Sequence, residues 1–417
     1  MTHTVDAVVI GAGPAGAATA ILLARAGREV ILVEQDRYPR RKVCGECVAA
    51  ATLAFLDEMG VGEGVRAHVG PELRHIGWMS AAPTLIADFP ACTQGPYRYG
   101  RALRREHLDG LLVERALALG VTVLQPARVR TVRGKPGALQ CDLDSGEMNQ
   151  RLTLHAAMII DAHGSWQRGP AVLPEVQRQQ SRRRHRGSDL FAFKAVFQHT
   201  TLRPGLLPVM ALAGGYGGMV IADGERATLA CCVRRDVLAA CRSAHPGLPA
   251  GEAVEAYLRR SCLGVREALD GAQRLGPWLT VGPLCPGTNR TAAGPLFRVG
   301  NAAGESHPLI GEGIGMALQS AVLLAHALTR RSPTAIKTRD VLDVQRRYEA
   351  AWHQEFSRRL HVAALFAHIA MRPRVTRAAR ALLSRWPSLL TAAARLAGKA
   401  RVSRPTHLPP RIHHEHV

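Results

Sequence analysis

Residues 5–34 read VDAVVIGAGPAGAATAILLARAGREVILVE. The first six are apolar apart from Asp6 and rich in β-branched side chains, the pattern of a strand buried on both faces of a parallel sheet. A glycine-rich turn, Gly11-Ala12-Gly13-Pro14-Ala15-Gly16, follows at once, and the run over 17–26 predicts a helix closed by Gly27. A second apolar run, 30–33, predicts another strand, ending on Glu34. This spacing has a physical reading. Gly11 permits a tight turn, Gly13 lets the backbone approach a diphosphate, and Gly16 lets helix and strand pack closely. Ala15 lies in the same turn, at the amino end of a helix whose unpaired N–H groups suit an anion. Glu34, 18 residues beyond Gly16, can accept hydrogen bonds from a ribose diol. Together these features predict a dinucleotide site, while the turn alone leaves FAD and NAD both open.

Composition bounds the remainder. The chain has 417 residues, 47% of them hydrophobic, enough to enclose a cofactor within one or two domains. No run of about 18 apolar residues is present to span a bilayer. Residues 313–329 come closest, but Gln319, Ser320 and His326 point to a buried helix instead. The first apolar segment starts at Val5, so no secretion leader is expected, and nine cysteines, an odd number, then point to a reducing cytoplasm. A net charge of +21 predicts anionic partners: an acidic protein, a carrier- or peptide-bound substrate, or lipid headgroups. The absence of a basic motif with interleaved aromatics argues against nucleic acid.

Two further stations resemble parts of the same site. Residues 101–120, RALRREHLDGLLVERALALG, carry an apolar helical face at Leu103, Leu108, Leu111, Leu112 and Leu117, and 121–124 return as a strand. Residues 157–160 form another buried strand, running into Asp161-Ala162-His163-Gly164. Residues 297–317 read FRVGNAAGESHPLIGEGIGMA: a short strand over 297–299, a loop over 300–313, and a helix from about Ile314. Gly311, Gly313 and Gly315 let backbone lie flat against a ligand, and the helix points its positive end at the loop.

The stretch RRKVCGEC, residues 40–47, holds a Cys44-x-x-Cys47 pair. A zinc site needs a second close pair, and Cys231-Cys232 are adjacent within a predicted strand, so no metal is assigned. A working dithiol and an ordinary loop both remain open, because spacing fixes neither pKa nor exposure.

The three stations together resemble the flavoprotein hydroxylase superfamily with the p-hydroxybenzoate hydroxylase fold, in its geranylgeranyl reductase-like branch, over residues 5–330. The resemblance implies FAD as cofactor. It implies that Arg105 contacts the cofactor, that the Val129 backbone lies along the adenine, and that Asn301 meets the ribityl-diphosphate region. It implies that Gly311, Gly313 and Ile314 line the isoalloxazine, and that the 42–46 loop, with Arg41 beside it and Cys44 within it, passes next to the ring. His163-Gly164 stands where the family has Asp-Gly, and Gly300-Asn301 where it has Gly-Asp.

These readings predict an α/β fold: a Rossmann-like FAD-binding domain with a βαβ unit and mixed sheet (1–75, 100–170 and 280–330). An inserted antiparallel-sheet substrate domain (76–99 and 171–279) and a helical C-terminal region (331–417) complete it. Strands are expected over 191–197, 208–212, 217–222 and 227–233, with Tyr216 agreeing with the branch's polyprenyl reductases. The basic run 177–186 reads as a solvated loop or a docking patch for an acidic partner. Tyr348, Trp352, Phe356 and Leu360 recur every four residues as a core ridge. Val375, Ala379, Leu382 and Trp386 repeat that pattern opposite four arginines; a helix packed on the body is the first reading, and an anionic membrane surface the second. His413, His414 and His416 receive no function.

The expected activity is an FAD-dependent monooxygenase hydroxylating an electron-rich biosynthetic substrate, with NAD(P)H or an externally reduced flavin as donor. The alternative is a reductase of carbon–carbon double bonds; a flavin halogenase and a non-redox flavoprotein rank below both. Cys44 and His307 are the polar candidates nearest the ring.

Overall fold

The computed structural model describes residues 3–146, 150–165, 167, 169–173, 186–288, 295–329 and 338–397. Two eight-stranded sheets organise these residues. In the first, the parallel strands Thr4–Ile10, Val30–Val33 and Thr122–Leu124 lie in that order beside the long strand Gln150–Asp161. That long strand has two partnerships along its length. Residues 150–156 run antiparallel to Ala138–Ser145, and its last residues pair in parallel with both Thr4–Ile10 and Leu296–Arg298. Ala127–Lys135 and Ala171–Leu173 extend the sheet at one edge.

The predicted βαβ unit is present. Helix Pro14–Arg25 starts on the proline, which lacks an N–H that would otherwise need a partner, and ends where Gly27 takes φ +73. Helix Gly313–Thr329 packs beside it with Leu318, Ala321, Val322, Leu324 and Ala325 buried. The expected ridge of Tyr348, Trp352, Phe356 and Leu360 lies on helix Thr338–Ala370 and is buried in the same core. Tyr348 ties it down by donating to the Arg298 carbonyl at 2.7 Å.

The second sheet follows the order Gln273–Arg274, Leu190–Gln198, Arg226–Arg234, Gly215–Asp223, Leu206–Leu212, His75–Met79 and Leu85–Asp88. Its pairings are antiparallel except between Leu206–Leu212 and His75–Met79. Leu279–Leu284 also joins it, on Leu190–Gln198, while Ala171–Leu173 belongs to the first sheet. Alternation along Leu190–Gln198 sends Phe193 and Phe197 into a core capped by helices Arg235–Ala244 and Ala250–Ser261. Leu190 and Ala192 face Ala367 and Ala370 at the other side.

Helices Pro373–Arg385 and Ser388–Leu396 end the described chain. They seat Leu383, Leu390 and Ala394 against Ile76 and Phe89. Val375, Leu382 and Trp386, expected as an inward face, are 39%, 48% and 51% exposed. The periodicity identified an amphipathic helix correctly but could not say which side meets the body, and Leu383 supplies that contact. Residues 177–185 of the basic run and the three tail histidines lie outside the described residues.

Candidate functional site

A cavity of about 360 Å³ lies between the two sheets, reaching from the turn at Gly11–Gly13 to the last helix. Its first wall comes from the glycine turn. Gly11 has φ +98, and a Cβ there would sit 2.5 Å from the Ala162 carbonyl oxygen. Gly16 is closer still to its neighbour: a Cβ would lie 1.8 Å from the Gly11 carbonyl oxygen. Its role is packing, and it stays outside the cavity lining. Gly13 instead faces open space bounded by guanidinium nitrogens, Arg105 Nη2 at 3.6 Å and Arg40 Nη2 at 3.7 Å from the same construction.

These two arginines are held from behind. Arg105 donates through Nε and Nη2 to the two oxygens of buried Asp109, each at 2.7 Å. Burial disfavours the Arg105 charge, but Asp109 outweighs it and holds the pKa above its ordinary value. Arg40 donates to Glu34 Oε1 at 2.7 Å, lies 3.7 Å from Asp109, and keeps a buried Nε without a hydrogen-bond partner. Glu34 accepts the Ala12 N–H at 2.8 Å, so the acid at the second strand's end is locked to the turn. A buried cationic pair, an orphaned donor and a glycine cradle open to ligand fit a diphosphate.

The cavity beyond the glycine turn is bounded by two distant loops. On one side run Val43, Cys44, Gly45 and Glu46; on the other, Asn301, Gly311, Gly313 and Ile314. Gly311 adopts φ +59 and the 17-residue helix begins at Gly313. Asn301 donates to Ser165 Oγ at 2.6 Å, which fixes its amide beside the 161–165 turn. In that turn His163 Nδ1 lies 2.5 Å from Asp161 Oδ1. Glu46, at φ +60 and 1% exposed, anchors the first loop. It accepts from the Arg105 backbone N–H at 3.0 Å, from Thr228 Oγ1 at 2.6 Å, and from Lys194 Nζ. Lys194 also reaches the Lys42 carbonyl at 3.3 Å, so one buried ion pair joins this loop to the second sheet.

Across the cavity, the Tyr216 hydroxyl and His307 Nδ1 share a hydrogen bond of 3.1 Å. Burial, and then His368, pushes the His307 pKa down to about 4. Burial, with Cys232 beside it, raises Tyr216 well above its usual value, and burial lifts the Cys232 thiol to about 12. At neutral pH the phenol and the imidazole are both uncharged. Ile76, Trp78, Phe89, Leu207 and Phe366 make the surrounding wall apolar.

Among the expected residues, Gly11, Gly13, Ala15, Glu34, Cys44, Arg105, Asn301, His307, Gly311, Gly313 and Ile314 all line this one cavity. Two do not. The Arg41 side chain is 40% exposed and points at Glu106, 3.7 Å away, while its neighbour Arg40 enters the cleft. Val129 is buried in the core of the first sheet beside a register shift at 129–131, and its side chain is outside the cavity lining. Cys44 and Cys47 are not joined by a disulfide; Cys44 Sγ accepts the Glu46 N–H at 3.3 Å, and Cys47 Sγ donates to the Gly45 carbonyl at 3.4 Å. Asp109 and Lys194 escaped sequence reasoning, as did the anchoring role of Glu46 within the expected 42–46 loop; Asp109 carried a local signal, one helical turn after Arg105.

Residues 4–185 match the FAD binding domain family. A menaquinone reductase from Mycolicibacterium smegmatis is 27% identical, over 95% of this chain and 92% of its own. The solved myxobacterial halogenase CndH shares the fold with a TM-score of 0.71 at 21% identity, covering 97% of this chain and 92% of the other. A geranylgeranyl bacteriochlorophyll reductase-like protein from Thermoplasma acidophilum shares it with a TM-score of 0.66 at 16% identity, covering 95% and 100%.

Proposed function

We propose, for a chain that is an FAD-dependent oxidoreductase of the p-hydroxybenzoate hydroxylase type, that it reduces a carbon–carbon double bond in an apolar, chain-bearing molecule. The observation that carries this reading is the uncharged Tyr216–His307 pair, in the same cavity as the apolar wall of Ile76, Trp78, Phe89, Leu207 and Phe366 and the Gly311–Ile314 loop. Gly11, Gly13, Ala15, Arg40 and Arg105 hold the diphosphate, Glu34 the ribose, and Cys44, Asn301, Gly311, Gly313 and Ile314 the ring. FAD, when bound and reduced, supplies a hydride. Saturating a double bond then needs one proton for the second carbon. Tyr216 supplies it, since its phenol stays protonated in the apolar wall. His307 holds the hydroxyl in place through Nδ1. The full-length similarity to a menaquinone reductase supports the order of preference, which reverses the one expected from sequence.

Hydroxylation of an electron-rich ring is the second reading. Trp78 and Phe89 in the wall favour it, since they offer aromatic faces to a flat substrate. The separating experiment uses the yellow protein without oxygen, reduced in turn by NADH, NADPH and an external reductant. Addition of a polyprenyl quinone should reoxidise the flavin and yield a product that keeps its quinone ring and is heavier by two hydrogens in the chain. If reoxidation and product both require oxygen, reduction is excluded and hydroxylation takes its place.

A further inference from the structure

The two C-terminal helices have one face too many. Their inner face packs on the second sheet through Leu383, Leu390 and Ala394, and Arg380 fastens them by donating to the Pro83 carbonyl at 2.8 Å. Their outer face carries Val375, Leu382, Trp386, Leu389 and Leu396, from 38% to 71% exposed. Exposed arginines 374, 377, 385 and 395 are interleaved with that stripe, and residues 361–397 contain no aspartate or glutamate. An apolar stripe on helices whose own charged side chains are all cationic matches a surface that is oily beneath and anionic on top. The net charge of +21 points the same way.

The second observation concerns what lies behind that face. Ala393 and Ala394 on the last helix and Ala397 at its end, with Phe366 and Ile369 on helix Thr338–Ala370, close the apolar end of the cavity. A single helix layer, about 10 Å thick, therefore separates the exposed stripe from the place of the substrate. Small alanines on its inner side leave the space in which a chain can lie.

We infer that helices Pro373–Arg385 and Ser388–Leu396 dock the enzyme on an anionic lipid bilayer, with the apolar stripe in the headgroup–acyl boundary, so that a lipid-dissolved substrate enters the cavity past the last helix. The inference deepens the reductase reading and rests on it for the identity of the cargo. Its test measures binding without turnover, so failure of reduction would leave the binding result standing.

FAD-loaded full-length protein is floated with vesicles of phosphatidylcholine alone, and of phosphatidylcholine mixed with phosphatidylglycerol. Binding is expected to the mixed vesicles and to weaken as salt rises. The variant L382S/W386S/L389S should stay yellow, melt as the parent does, and lose vesicle binding. R377Q/R385Q should lower the binding constant on the order of 30-fold. With substrate held in vesicles, the triple variant should turn over poorly, while a short water-soluble analogue should be reduced at the parental rate. Failure to bind mixed vesicles overturns the inference, as does a triple variant that binds like the parent. A parental dimer abolished by the triple variant, with no vesicle binding, overturns it too, assigning the face to a second copy of the chain.

Discussion

At Gly13 a methyl group would meet nothing closer than the guanidinium nitrogens at 3.6 and 3.7 Å, whereas at Gly16 it would collide with backbone at 1.8 Å. The two substitutions should therefore fail differently. Gly13→Ala should fold with a parental circular-dichroism melt yet purify with little flavin; Gly16→Ala should melt far lower, because carbonyl and helix must separate. Both roles were legible in the spacing of the turn. The choice between Arg40 and Arg41 was not: neighbouring side chains on an irregular segment leave on different sides, and the partners that select Arg40 are Glu34 and Asp109. At the other end of the cavity, Tyr216→Phe should keep its flavin and its rate of reduction by donor, but slow the substrate half-reaction by about 10²–10⁴-fold, read by stopped flow. His307 sets a pH dependence of stability. Its folded pKa, about 4, lies below the ordinary imidazole value, so between the two the unfolded chain takes up a proton that the folded chain refuses. Stability should fall as pH drops through that window and level off beneath it, and His307→Gln should flatten the profile in thermal melts.

The elements themselves were largely readable because their signals are local: the strands at 4–10 and 30–33, the helix between them, the glycine entry to Gly313–Thr329 and the ridge on Thr338–Ala370. The latch between them was not. Glu46 meets Lys194 and Thr228 across 148 and 182 residues, and no periodicity marks a pair so far apart. That latch fastens the Cys44–Gly45 loop to the strands Leu190–Gln198 and Arg226–Arg234. Lys194→Met should leave Glu46 buried with an uncompensated charge and cost about 3–5 kcal/mol in urea unfolding. The Thr228 and Arg105 donors that remain hold the loss toward the low end. Lys194→Met combined with Glu46→Gln should recover much of it, and a double variant as unstable as the single one would show that the ion pair is not the source. The C-terminal helices mark a different limit. Their periodicity gave amphipathicity, but which side turns inward is decided by Ile76 and Phe89, far away in the chain.

Across the whole molecule, the cavity is walled by both sheets, so a ligand that fills it ties them together. Stripping the flavin should lower the melting temperature, and restoring free FAD to about 100 times its Kd should return about 2.7 kcal/mol. Identical melts with and without FAD would mean that the sheets do not depend on what lies between them. The strand Gln150–Asp161 has a consequence for biosynthesis. It needs Thr4–Ile10 from the beginning of the chain, Ala138–Ser145 just before it, and Leu296–Arg298 from far downstream. A ribosome at work on this message must release residue 298 before the strand's last neighbour exists, and until then its edge remains an open template for neighbouring nascent chains.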